Sequence, residues 1–170
     1  MILESIVFYT LAVISIGSAL LMVTRRNPVI AALYLILNFF CLAGLYLTLQ
    51  AQFIAVIHIL VYAGAIMVLF VFVIMLLNLG DKQTLNDAIS PKKVVAGGLS
   101  LALLFELLYI IVYATKDLPA YDVKQALETG TVEHIGKELF TNFLFPFEVT
   151  SILLLAAIIG AVLLAKRKLD

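Results

Sequence analysis

The sequence predicts an all-α fold: an integral membrane bundle of five transmembrane helices, forming one membrane domain over residues 1–170. Three observations predict it. Hydrophobic residues make up 64% of the 170 and charged residues 13%, with a mean hydropathy of +1.16, whereas soluble domains are roughly half apolar. Five runs reach the ~20 mostly apolar residues that a helix needs to cross ~30 Å of hydrocarbon. No period-2 alternation of the barrel type occurs, and only helices and closed barrels satisfy their backbone groups in lipid.

The first run, residues 5–23, follows Glu4 with no basic region or small-residue cleavage site and ends at Arg25 and Arg26. It reads as a spanning helix rather than a cleaved leader. The second, 29–49, is entered through Asn27-Pro28, a proline suited to a first helical turn. The third, 53–79, has 27 residues and would span about 40 Å, more than the core requires, which leaves room for tilt or a π-bulge. The fourth, 94–114, follows the polar stretch 80–93 with its Ser90-Pro91 start signal. The fifth, 147–165, follows an outer loop over 115–146, in which Ile135, Leu139 and Phe140 could share the apolar face of a short surface helix.

Basic residues set the orientation, because Lys and Arg are retained on the cytoplasmic side. Placing the first connection inside puts Arg25, Arg26, Lys82, Lys92, Lys93, Lys166, Arg167 and Lys168 inside, and only Lys116, Lys124 and Lys137 outside. The N-terminus is expected outside and the C-terminus in the cytoplasm.

Eleven basic and eleven acidic residues cancel, so no basic surface points to nucleic acid. Cys41 is the sole cysteine, which excludes an intrachain disulfide, and neither histidine has a metal-ligand partner at a usable spacing. No phosphate loop, dinucleotide fingerprint or nucleophilic triad is present. The chain is expected to hold no catalytic site and no cofactor of its own.

The informative residues are polar groups at membrane depth. His58 and Tyr62, four apart, lie on one face of the third helix, with Tyr62 about 14 Å deep at 1.5 Å per residue. They either join a proton path or bond to neighbouring helices. Ala63, Gly64 and Ala65 remove bulk over a turn, which permits close helix approach and eases a local winding defect. Glu106 sits deep in the fourth helix, where it relays protons or stays neutral. Glu148 stands at the start of the fifth, where the helix dipole favours its charge. Small residues at four-residue spacing, Gly98 with Ala102 and Ala156 with Gly160, suit tight packing against other subunits.

Two stretches carry a family resemblance: VYAGAIMVLFVFVIMLLN, Val61 to Asn78, and IGKELFTNFLFPFEVTSILLLAAIIGAVLLAKRK, Ile135 to Lys168. The chain resembles subunit J of NADH-quinone oxidoreductase, the bacterial counterpart of mitochondrial complex I subunit 6. The Arg-Asn-Pro start of the second helix and the five-helix layout are also similar.

The resemblance implies a multi-pass subunit of the bacterial inner membrane, packed beside subunits H, A, K and N. NADH, FMN, iron–sulfur clusters and quinone are implied for other subunits. It further implies a π-bulge in the third helix between Tyr62 and about Phe70. Its conversion to regular helix would make or break a water path linking quinone chemistry to proton translocation. Carried over by residue, the gate comprises Tyr62, Gly64, Val68 and Phe70, and Glu148 matches the family's acidic residue in the Pro-Phe-Glu motif; together with the polar residues at membrane depth this makes His58, Tyr62, Glu106 and Glu148 the proton-path candidates. His58 stands where relatives can have Glu or Gln, and Glu106 matches no family motif. The competing classes are a purely structural scaffold subunit and, third, a small independent transporter.

Overall fold

The computed structural model describes residues 2–77, 91–114 and 127–166. They form α1 (Ile2–Thr24), α2 (Pro28–Thr48), α3 (Gln52–Leu77), α4 (Pro91–Ala114), α5 (Val132–Thr141) and α6 (Leu144–Ala165), with no strand among them. Among the described residues, five helices are long and apolar enough to cross a membrane: α1, α2, α3, residues Val94–Ala114 of α4, and α6. The expected end of the third helix, Leu79, lies outside the described residues. One contact unit contains α1, α2, α3, α5 and α6; α4 belongs to a second.

Local chemistry sets the helix ends. At the start of α2, the Asn27 Oδ1 accepts from the backbone N–H groups of Val29 at 2.9 Å and Ile30 at 3.3 Å, and Pro28 fills the first turn where no donor is needed. The other end of α2 closes as a Schellman motif: Ala51 N–H donates to Tyr46 O at 3.0 Å and Gln50 N–H to Leu47 O at 3.1 Å. Gln50 takes the left-handed position with φ of 63°, where glycine is usual. The chain thereby reverses in two residues, laying α3 against α2.

Two antiparallel seams hold the first three helices. Between α1 and α2, Gly44 lets Leu11 come so close that an added Cβ would lie 2.7 Å from its Cδ1. Further along, the Asn38 Nδ2 of α2 donates to Ser15 O at 2.7 Å, Ser15 Oγ at 3.1 Å and Ser18 Oγ at 3.2 Å. At the far end, the Arg25 guanidinium lies over the Tyr34 ring at 5.8 Å. Between α2 and α3, buried Ala32, Met67 and Ile74 form the apolar core, with Val29, Leu35, Ile36, Phe39 and Val71 packed around them.

The α5 helix forms where the sequence places an amphipathic surface segment. Thr131 caps it, accepting from His134 N–H at 3.2 Å. Ile135 and Leu139 are half-buried, and Phe140 meets Phe147 of α6 with ring centroids 5.1 Å apart. Phe53 N–H donates to Gly130 O at 3.4 Å, joining this segment to the start of α3.

One boundary corrects the sequence reading. The last span starts at Leu144 rather than at 147, because Pro146 is tolerated in a first turn, where the missing N–H has no partner to lose. Glu148 is therefore the fifth residue of α6, past the first turn in which a helix dipole acts on a carboxylate.

Candidate functional site

The third helix is not wound uniformly. Gln52–Ile57 and Met67–Leu77 are α-helical, whereas the nine residues His58–Ile66 between them form a π-helix. Met67 N–H reaches back five residues to Tyr62 O as well as to Gly64 O. Such long-period turns are rare, mark functional sites often, and leave backbone groups short of ideal partners.

Gly64 explains why this sequence tolerates the winding. A Cβ placed on it would meet the carbonyl oxygen of Ile59, five residues earlier, at 3.2 Å. A carbonyl held in a helix cannot retreat as a side-chain end can, so the bare Cα suits the π turn. Ala63 beside it is buried, as is Met67 at 3% exposure, and these anchor the run against the rest of the bundle.

Four aromatic rings gather at the start of the run. The His58 imidazole stacks on Tyr62 with centroids 4.8 Å apart and planes at 25°. Phe39 of α2 meets His58 edge-on at 5.3 Å and Tyr62 at 5.8 Å, and Tyr46 of α2 meets His58 at 5.6 Å. His58 Nε2 is shielded from solvent and has no hydrogen-bond partner among the described residues. An unmet buried nitrogen costs about 1–3 kcal/mol, so this group is poised to gain from any polar neighbour that arrives.

The π run brings together His58, Tyr62 and Gly64. Tyr62 is 45% exposed, its ring extending beyond the seam. Val68 and Phe70 lie past the run in regular α-helix and are also exposed; the π winding thus starts four residues before Tyr62 and ends at Ile66, short of Phe70. Glu148 is exposed on α6, with its carbonyl accepting from Ser151 Oγ at 2.7 Å; no described interaction joins it to the His58 cluster. Glu106 is exposed on α4. Among the described residues, no three His, Cys, Asp or Glu side chains group as metal ligands would.

Sequence reading missed Phe39 and Tyr46, and with them the Asn38–Ser15–Ser18 cluster. The signals were present. Ala32, Phe39 and Tyr46 recur every seven residues and so share a stripe of α2, and Asn38 is a lone amide in an apolar span.

The family pattern of NADH-ubiquinone/plastoquinone oxidoreductase chain 6 matches residues 18–164. NAD(P)H-quinone oxidoreductase chain 6 of Nostoc sp. is 39% identical over 95% of this chain and 78% of its own length. NADH-quinone oxidoreductase subunit J of Rickettsia bellii is 34% identical over 97% of this chain and 82% of its own. F(420)H(2) dehydrogenase subunit J of Methanosarcina mazei is 37% identical over 96% and 92%. A match spanning four of the five spans, with relatives alike over nearly the whole chain, shows that it belongs to the chain 6, or subunit J, family of NADH-quinone oxidoreductase.

Proposed function

We propose that this chain is a non-catalytic membrane subunit of a proton-pumping NADH:quinone oxidoreductase in the bacterial inner membrane, and that α3 gates the coupling of quinone reduction to proton translocation. The observation that carries this reading is the nine-residue π run with Gly64 inside it. Removing one residue of register from such a run turns everything beyond it by about 100°. Val68 and Phe70 are the side chains that swing, exchanging bulky for small groups on a water path. His58, Tyr62, Glu106 and Glu148 are the groups that hand protons along that path.

The relatives support a role away from electron donation. Their names give NADH, NAD(P)H and F(420)H(2) as donors, yet all remain 34–39% identical to this chain. NADH, FMN, iron–sulfur clusters and quinone belong to other subunits in this reading, and the neighbours of this chain are subunits H, A, K and N. A carrier of the donor chemistry would be expected to differ with the donor.

The scaffold reading keeps one observation of its own: three aromatic rings pack His58 and shield its Nε2, as dry helix glue would. The two separate on the enzyme carrying Gly64→Leu, assembled and placed in liposomes. The gate requires its proton-to-electron ratio to fall while quinone reduction continues. A native ratio in a fully assembled enzyme leaves only the scaffold.

A further inference from the structure

One helix, α2, packs in turn against Gln52–Ile57, the π run and Met67–Leu77 of α3. Tyr46 and Phe39 bear on His58, the first residue of the run, and Phe39 also bears on Tyr62. One heptad away on the same stripe, Ala32 packs with Met67, the first residue after the run, and with Ile74. The angular relation between the two α-helical parts of α3 is therefore fixed by where α2 grips each of them.

The rotational setting of α2 is fixed in turn from its other side. Asn38 precedes Phe39 directly, and its two amide N–H groups are shared among three acceptors on Ser15 and Ser18 of α1. Ser18 is 3% exposed and its hydroxyl donates to Ser15 O at 2.9 Å, so its own proton also stays within the cluster. Turning α2 enough to withdraw the Phe39 ring would break these bonds in apolar surroundings, where no water replaces them.

The winding and the ring contacts are coupled by geometry. At about 4.4 residues per π turn against 3.6 per α turn, each residue turns about 18° less, so the His58 to Tyr62 angle differs by about 70° between the two windings. A swing of that size carries the Tyr62 ring off Phe39 and out of its stack with His58. We propose that Phe39 is a positioning residue that selects the π winding of α3, and that Asn38 is its anchor. This goes beyond the gate itself: the choice between windings is made on α2, outside the helix that changes.

The test reads the winding directly, in cryo-EM particle classes of the intact oxidoreductase. Phe39→Ala is expected to lower the ratio of π to α winding at His58–Ile66 about fivefold, the equivalent of roughly 1 kcal/mol for one aromatic pair. Asn38→Leu shifts it in the same direction, and Phe39→Tyr, which keeps the ring, retains the wild-type ratio. If Phe39→Ala does not assemble, Phe39→Leu fills the volume without a ring and carries the same expectation. A wild-type ratio in the ringless variant, or an equal shift in Phe39→Tyr, overturns the proposal; a merely structural Phe39 lowers the yield of complex and leaves the ratio alone. Proton pumping in the same preparations is a separate readout. An altered winding with unaltered pumping removes the gate reading and leaves this one standing.

Discussion

The imidazole of His58 stacks on the ring of Tyr62, 4.8 Å between centroids, across the first five residues of a π-helix. In either winding a spacing of four keeps two side chains on neighbouring faces, but only one winding gives each pair its observed angle. The stack is therefore a local reporter of how α3 is wound, and Gly64 two residues further on is the position where winding is easiest to bias.

Gly64→Ala is expected to favour α winding. The added methyl would sit 3.2 Å from Ile59 O in the π form, while alanine is better than glycine in an α-helix by about 1 kcal/mol. Both effects act in one direction. Deuterium exchange of the amides from His58 to Ile66 in the intact enzyme checks it, with greater protection expected in the variant.

Asn38→Leu is expected to destabilise the α1–α2 pair by about 1 kcal/mol, because its two amide N–H groups, shared among three acceptors on α1, contribute about 0.6 kcal/mol each. Ser15→Ala and Ser18→Ala each remove part of this. A thermal melt of the detergent-solubilised enzyme that ranks Asn38→Leu below both serine variants agrees; equal midpoints for all three and wild type do not.

Gln50→Gly is expected to raise stability. Gln50 holds φ of 63°, a conformation that costs an ordinary residue about 1–2 kcal/mol and glycine little. Gln50→Val, β-branched at the same position, moves the midpoint the other way. The pair of opposite shifts is the signature, since loss of the glutamine side chain is common to both.

Thr131→Ala is expected to loosen α5 by about 1 kcal/mol through loss of the bond from His134 N–H. Thr131→Ser, which keeps the hydroxyl, restores it. Amide exchange across Val132–Thr141 reads the effect without perturbing the spans.

Length and hydropathy made the spans legible, since a helix in lipid must satisfy its own backbone and so declares itself by twenty apolar residues. The Asn27-Pro28 start was equally plain, because capping is a local matter of one side chain and two amides. Glu148 was misplaced by one turn, as proline permits a helix to begin before it as well as at it. The excess length of the third span pointed to irregular winding, and the resemblance placed it near Tyr62 and Gly64. Its first residue, His58, meets Phe39 and Tyr46, which lie 19 and 12 residues earlier in the chain and reach it only through the Gln50 reversal. Tertiary partners of this kind leave no local mark beyond the seven-residue stripe on α2.

The central claim is that α3 switches winding, and the most direct measurement is its winding in the intact enzyme at rest and during turnover, imaged by cryo-EM. The account predicts π winding at His58–Ile66 in one population and regular α-helix in another, with their proportions changing when quinone is being reduced. A single π-wound population under both conditions, in enzyme that is pumping protons, would contradict it.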